Sequence, residues 1–343
     1  MLDPIRSAPG SAFKSAPSPR APVAESPTFG DGFVASETSP TLAVRGLGKL
    51  RSELPRPMTE EEKRDFKSWF PLLDVEASRV TAEATPQYNC ISWTTGNTQS
   101  WDWPPYMYPE FSPREAFAHY YQERGFRPIG ADEAAEIGKE RELVAYWEDP
   151  AGPTHGSVAG PEHGERWESK CGQAARITHG RDELESEVYG KIAGYWLKTQ
   201  EVEAPVPELP QDVRQRIGQK LEARLQALPA PLVAEFGAAY AQWQSERSSP
   251  RVAMSSDPKA YLQGAGYQKL LALGSQALPL WIEKMHGGDF FCQYAVQQLT
   301  RPEEGDFQMK GPQPQPELKA REVRCGEQDK ARQMLVQWLE SQW

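Results

Sequence analysis

Short apolar segments separated by turn residues fill residues 142–170, and they constrain the fold more than any other feature of the sequence. Each segment has the length and composition of a β-strand, and the Asp-Pro-Ala-Gly stretch at 149–152 is typical of a tight turn. Strands that follow one another through short turns pair as an antiparallel meander. We therefore predict an antiparallel sheet with strands at 142–147, 155–160, 166–170 and 192–197.

Helix start signals precede this sheet. Thr59 and Glu62 have the spacing of a capping box, and apolar residues follow at helical spacing. Ser112 is followed directly by Pro113, which favours the first turn of a second helix because proline needs no backbone donor there. The sequence therefore predicts one helix after each of these two caps.

The signals change after a Pro-rich stretch that ends at residue 210. Beyond it, apolar residues recur with the period of a helix in several blocks. One block, at 273–279, resembles short helical repeats of the HEAT type, but it has no second copy. We predict an α+β domain at 58–198, a linker at 199–210 and an all-α domain at 211–343.

The first 57 residues are rich in Pro, Ser, Ala and Gly and contain few large apolar side chains. Apolar residues make up only 38% of the whole chain, which also holds 31 Pro and 27 Gly. A segment of this composition buries too little surface to offset its conformational entropy. We therefore predict a disordered tail at 1–57.

The charge and the cysteines exclude several classes of protein. A formal net charge of −10 argues against a general affinity for nucleic acid or anionic membranes, because both select clustered Lys and Arg. No apolar stretch is long enough to span a bilayer. The four cysteines follow no repeated spacing, so no disulfide framework is expected. The chain also lacks the apolar core of a signal peptide, so we expect a cytoplasmic protein, with export by another route left open.

Cys90 and His155 are the two residues that we expect to carry chemistry. Cys90 precedes a short predicted helix, and a helix start lowers the pKa of a thiol. His155 opens a strand directly after a turn, where an imidazole can face a thiol across a cleft. A thiol and an imidazole are the minimum for nucleophilic catalysis with a general base. The alternative is a buried structural cysteine and an unrelated histidine.

Other chemistry has weaker support. The sequence has no phosphate loop, no paired CxxC and no dinucleotide fingerprint, so we expect no cofactor. His155, His163, Cys171 and His179 have a spacing that fits no structural zinc motif, so we expect no metal site.

The motif Tyr-Asn-Cys-Ile-Ser-Trp at 88–93 resembles the nucleophile motif of the papain-like fold in its NlpC/P60 form. Residues 58–198 resemble more closely an uncharacterised bacterial domain family. Members of that family carry a similar cysteine motif, a Trp-Pro-Pro loop as at 103–105, a strand opened by a histidine as at His155, and a Trp-x-Ser-Lys-x-Gly strand as at 167–172. The resemblance implies a papain-like α+β domain with an antiparallel sheet.

The resemblance also implies roles for particular residues. Cys90 would be the nucleophile and His155 the base. Ser169, on the next strand, would be the third catalytic residue, with Glu168 and His179 as alternatives. The residues expected to hold the substrate or its oxyanion are Gln87, Tyr88 and Trp103.

The expected function is a cysteine hydrolase that cleaves an amide bond through a thioester on Cys90. Peptidase, peptidoglycan amidase, protein deamidase and acyl transferase activities all remain open. The expected partner is a peptide or protein substrate, with a further protein partner for the helical domain. The modular layout is compatible by analogy with a bacterial effector or toxin. The alternative function is a non-catalytic interaction protein with a degenerate papain-like domain.

Overall fold

One eight-stranded antiparallel sheet organises the fold. The computed structural model describes residues 54–202, 208–300 and 326–341. Residues 1–53 of the predicted disordered tail lie outside the described residues. Of the predicted linker at 199–210, residues 203–207 lie outside them as well. Within the described part, the chain is α+β, with the sheet formed before residue 200 and helices alone after residue 208.

The strands of the sheet are β1 (Arg56–Pro57), β2 (Arg79–Ala82), β3 (Phe126–Ile129), β4 (Leu143–Asp149), β5 (Gly152–Ala159), β6 (Trp167–Lys170), β7 (Arg176–His179) and β8 (Lys191–Lys198). Their spatial order is β1-β2-β7-β6-β5-β4-β8-β3, and all neighbouring strands are antiparallel. The predicted meander is confirmed for β4, β5 and β6, which lie side by side in chain order, whereas β8, the predicted fourth strand, pairs with β4 instead of following β6. Asp149 closes the β4–β5 hairpin by accepting the N–H groups of Ala151 and Gly152.

The last two residues of the segment predicted as a tail, at 1–57, belong to the sheet. Arg56 and Pro57 form β1, which pairs with β2 at the edge of the sheet. Proline is tolerated on an edge strand, where no neighbour needs its missing donor. Arg56 also ion-pairs with Glu62 and Glu83, so charge contacts hold this segment against the sheet.

Twelve helices surround or follow the sheet in the described part of the chain. The predicted capping box at Thr59 is confirmed, and Ser112, the predicted cap of the second helix, donates its backbone N–H to Glu115 at 2.9 Å. None of these helices is long and apolar enough to cross a membrane. The helices are α1 (Glu60–Trp69), α2 (Cys90–Trp93), α3 (Pro104–Met107), α4 (Pro113–Glu123), α5 (Ala131–Ile137), α6 (Gln211–Gln226), α7 (Ala230–Arg247), α8 (Pro250–Ala253), α9 (Ala265–Ala272), α10 (Leu278–His286), α11 (Cys292–Thr300) and α12 (Glu327–Glu340).

The helices after residue 208 pack directly on the part of the chain that forms the sheet. Trp101 leaves the sheet region and is buried in the helical core, with its ring 5.8 Å from Tyr261 and 5.7 Å from Phe291. Its Nε1 donates to the backbone oxygen of Ser256 at 2.8 Å. In return, Met254 is buried in the core beneath the sheet. The described residues therefore belong to one compact unit. The division into two domains at the linker 199–210 stays a prediction.

Backbone contacts tighten this junction. Gly172 has a positive φ of 53°, and a Cβ built on it would lie 2.2 Å from the backbone oxygen of Ala253. The next residue, Gln173, donates its N–H to that same oxygen at 2.7 Å. Only glycine fits such a close backbone approach in this conformation. The segment after α8 is therefore seated in the turn between β6 and β7.

We expect Trp101→Ala to destabilise the whole compact unit, because it removes the aromatic side chain that joins the two cores. The free energy of unfolding should fall by about 3–5 kcal/mol. Urea denaturation followed by circular dichroism measures this change. Leu72→Ala is the control, since Leu72 is 59% exposed and should cost less than about 0.5 kcal/mol. Equal losses in the two variants would contradict the packing described above.

Candidate active site

Cys90 is the first residue of α2, a single helical turn. Asn89 caps this turn: its Oδ1 accepts the N–H of Ser92 at 3.1 Å, and its Nδ2 donates to the backbone oxygen of Asp102 at 2.7 Å. Gly96, with φ of 80°, follows soon after the helix ends. The short helix predicted after Cys90 is therefore confirmed, and its start is anchored by side-chain bonds.

The Cys90 thiol is fully buried, and a residue of the helical part covers it. Its Sγ lies 3.0 Å from Ser256 Oγ, and the backbone of Gly156 also bonds to the sulfur. Burial raises the pKa of Cys90 to about 11, because the thiolate loses its solvation, and the two bonds offset this only in part. At neutral pH, Cys90 is therefore a protonated thiol.

The His155 side chain is also fully buried. Its Nε2 lies 3.0 Å from Ser169 Oγ, and its ring stacks on Tyr189 with centroids 3.8 Å apart and an interplanar angle of 6°. Burial lowers the pKa of His155 well below its usual value, and repulsion from His179 adds to this shift. The imidazole is therefore neutral. Its Nδ1 is buried and has no hydrogen-bond partner within the described part of the chain.

Ser169 connects His155 to a second buried histidine. Its Oγ lies 2.8 Å from His179 Nε2 and 2.8 Å from Ser157 Oγ. Ser157 also accepts a hydrogen bond from Trp147 Nε1 at 2.9 Å. These groups satisfy one another in a site where an unbonded polar atom would be costly. Ser169, the predicted third residue, is thus next to His155, and His179 lies on the far side of Ser169.

The bonds of this network assign the tautomer of His155. Burial lowers the pKa of His179 to about 4, so that ring is neutral, and its Nδ1 lies 2.6 Å from the Gly180 carbonyl oxygen. A carbonyl only accepts, so His179 Nδ1 carries the proton. Ser169 has one proton, which it donates to Ser157, so it cannot donate to His155, and His155 Nε2 donates to Ser169. The Nδ1 of neutral His155 is therefore unprotonated, which is the form of a general base.

Cys90 and His155 are not hydrogen-bonded to each other in the described chain. The residue after His155 in β5, Gly156, bonds to the Cys90 sulfur through its backbone. Alternation along a strand directs Gly156 towards α2 and the His155 ring to the opposite face, beside Trp147. The structure therefore pairs the thiol with Ser256 and Gly156 rather than with the imidazole.

Glu168 lies on the face of the sheet opposite to Ser169, as the period-two rule predicts for neighbours in β6. Its carboxylate ion-pairs with Arg176 at 2.7 Å and bonds His163 Nδ1 at 2.7 Å. It also accepts a bond from the Thr81 hydroxyl. These partners occupy Glu168 away from His155, so Ser169 is the residue of the three alternatives that contacts the imidazole.

The three predicted substrate residues lie in different surroundings. Gln87 is exposed, and its side chain bonds that of Gln99 at 3.1 Å. Tyr88 is buried and packs beneath the Lys170 ammonium, 5.1 Å from its ring centroid. Trp103 lines a cavity at the junction of the sheet and the helices. Of the three, Trp103 is the residue that lines this cavity.

That cavity has a volume of about 560 Å³. Its lining contains neither Cys90 nor His155, but it includes Thr154, which precedes His155, and Tyr189, which stacks on the imidazole. It also includes Ser255 and Asp257, the neighbours of the residue that covers the thiol. The volume falls in the range of small-molecule and peptide side-chain sites. Within the described part of the chain, no group of His, Cys, Asp and Glu is arranged to hold a metal ion.

Two contacts of the site were not predicted from the sequence. Ser256 is 166 positions from Cys90, and no local pattern connects the two. Lys170 is fully buried and donates to the backbone oxygens of Thr85, Gly172 and Ala174. Burial lowers its pKa to about 7, yet three N–H donors require the protonated ammonium. The one sequence signal for Lys170 was its position directly after Ser169 in the Trp-x-Ser-Lys-x-Gly strand.

Comparison with known proteins identifies one region of the chain. Residues 79–197 match the family described as Domain of unknown function (DUF7689), and this segment includes Cys90, His155 and Ser169 but not Ser256. No curated protein and no solved structure matches the chain. The comparisons link the chain neither to NlpC/P60 proteins nor to HEAT-like repeats.

We expect Gly156→Ala to disturb the thiol site. A Cβ at this position would lie 3.0 Å from Thr94 Cγ2 and 3.1 Å from the Tyr121 hydroxyl, so α2 must move away from β5. Overpacking of this kind should cost about 1–3 kcal/mol of unfolding free energy, measured by urea denaturation. Gly194→Ala in β8 is the matched control, because its Cβ would meet no atom within 4 Å. A loss in both variants, or in neither, would refute the proposed close contact.

Proposed function

We propose that this chain is a cysteine hydrolase of papain-like fold that cleaves an amide bond with Cys90 as nucleophile and His155 as base. The observation that carries the proposal is the bonding of His155: Ser169 holds Nε2, and the unprotonated Nδ1 is buried without a partner among the described residues. A buried nitrogen left unbonded costs free energy, which a structure tolerates more readily where the atom has a function. Gly156, beside His155, already bonds the thiol.

The protonation states favour one order of events. Both the Cys90 thiol and the His155 imidazole are neutral, so the resting site is not a thiolate–imidazolium pair. The thiol would attack the amide carbon while its proton passes to His155 Nδ1. The imidazolium would then protonate the leaving amine as the C–N bond breaks, which leaves a thioester on Cys90. Water, deprotonated by the same nitrogen, would hydrolyse the thioester and restore the thiol.

The proposal requires a change at the site when substrate binds. Ser256 Oγ is hydrogen-bonded to the Cys90 sulfur, and the His155 ring lies on the other face of β5. A substrate in the 560 Å³ cavity would contact Ser255 and Asp257, which flank Ser256. Displacement of Ser256 and a backbone rearrangement of β5 that brings the imidazole to the face of Cys90 would then bring Sγ and Nδ1 together. Ser169 would act as the positioning residue, because it bonds the nitrogen that does not transfer the proton.

The proposal predicts that a mixed peptide library is cleaved by the wild-type protein and that cleavage falls at least about 100-fold in Cys90→Ala and His155→Ala, since each removes a group of the reacting pair. Mass spectrometry of the products gives the rates. Cys292→Ala is the matched control, because it removes another buried thiol that belongs to the helical core. Added amines would reveal acyl transfer through new amide products.

Loss of folding must be separated from loss of chemistry in this experiment. Circular dichroism of each variant provides the check, and only folded variants count. Cleavage that persists in folded Cys90→Ala would overturn the proposal. The proposal would also be overturned if the wild-type protein cleaved no member of the peptide, amidated-side-chain and peptidoglycan libraries.

A second candidate function has its own supporting observation. The covered, protonated thiol with no bond to His155 fits a non-catalytic interaction protein with a degenerate papain-like domain. Iodoacetamide labelling at neutral pH distinguishes the two candidates. The hydrolase proposal expects Cys90 to label no faster than Cys292 in the resting protein and faster than Cys292 once a peptide is bound, with this gain lost in His155→Ala. Equal labelling of the two thiols both with and without peptide would favour the interaction protein.

A further inference from the structure

The walls of the 560 Å³ cavity carry more negative than positive side chains. Three carboxylates line it, Asp149, Glu187 and Asp257, together with one guanidinium, that of Arg251. Asp149 belongs to the β4–β5 turn, whereas Asp257 follows the residue that covers the thiol. The carboxylates therefore reach the cavity from both the sheet and the helical part of the chain. Their combined field favours a cationic group over a neutral or anionic one.

Asp257 has one carboxylate oxygen without a protein donor. The Tyr106 hydroxyl and the N–H of Lys259 both donate to Oδ1, at 2.8 and 2.9 Å. Oδ2 receives no hydrogen bond and no ion pair from the described residues, and the residue lines the cavity. Burial raises the pKa of Asp257, since the carboxylate has lost part of its solvation. Asp257 is half-buried, so a cation in the cavity would give Oδ2 a charged partner in place of solvent.

We propose that this cavity binds an ammonium or guanidinium group of the substrate, with Asp257 Oδ2 as its direct partner. The substrate class would then be an amide compound with a basic side chain or a free amine, such as a peptide containing Arg or Lys. Trp103 and Tyr189 supply aromatic surface on the walls for the rest of such a ligand. The substrate assignment rests on the proposed hydrolase function, whereas the binding of the cation does not.

The test measures binding in the absence of cleavage. The probes are Nα-acetylargininamide, which is cationic, and Nα-acetylglutaminamide, which is neutral and similar in length. Ligand-observed NMR titrations on full-length Cys90→Ala give the affinities, and the same titrations on the wild-type chain serve if that variant does not fold. The cationic probe should bind about tenfold more tightly than the neutral one. Asp257→Asn should abolish this preference while keeping the shape of the side chain.

Asp132→Asn is the control, because it makes the same chemical change at an exposed position in α5. It should leave the preference unchanged. Equal binding of the two probes, or a preference that survives in folded Asp257→Asn, would overturn the inference. A charge preference without any amide cleavage would retain the cation site and reject the hydrolase. Cleavage without a charge preference would retain the hydrolase and reject the cation site.

Discussion

The contact between Ser256 and the Cys90 thiol is the interaction on which the arrangement of the site depends. It joins the first residue of a short helix on the sheet to a segment of the helical part. Trp101 holds that segment by its bond to the Ser256 carbonyl, and Gly172 admits the backbone of Ala253 at close range. The region that matches DUF7689 ends at residue 197, so the thiol is enclosed by residues from outside that region. The helices after residue 208 are therefore part of the site's construction.

Burial then determines the chemistry that is available. It keeps the Cys90 proton on sulfur and keeps the His155 imidazole neutral, because neither charged form is solvated there. Ser169 donates its proton to Ser157 and accepts from His155 Nε2, and this fixes which nitrogen of His155 is unprotonated. The resting site therefore holds a neutral thiol covered by Ser256 and a neutral imidazole on the other face of β5. In our proposal, a bound ligand changes the local structure and brings the two groups together.

Local patterns in the sequence predicted much of the fold. The capping box at Thr59, the helix cap at Ser112 and the turn at Asp149 act over a few residues, and each lies where the sequence indicated. Strand alternation also separated Ser169 from Glu168 correctly, because the side-chain period of a strand is two. The strands β1, β2, β3 and β7 were missed, since they are two to four residues long and carry little apolar periodicity.

The site was less predictable than the fold because its decisive contacts are long-range. Ser256 meets Cys90 across 166 positions, and a single serine in a loop carries no signal of such a partner. The motif strand did contain Lys170, but sequence alone did not show that three backbone oxygens bind its ammonium. The most direct test of the account is the ionisation of Cys90, followed by the ¹³Cβ shift of selectively labelled cysteine from pH 6 to 12. We predict a thiol that stays protonated at pH 9 and titrates at about 11, whereas a thiolate already formed below pH 8 would contradict it.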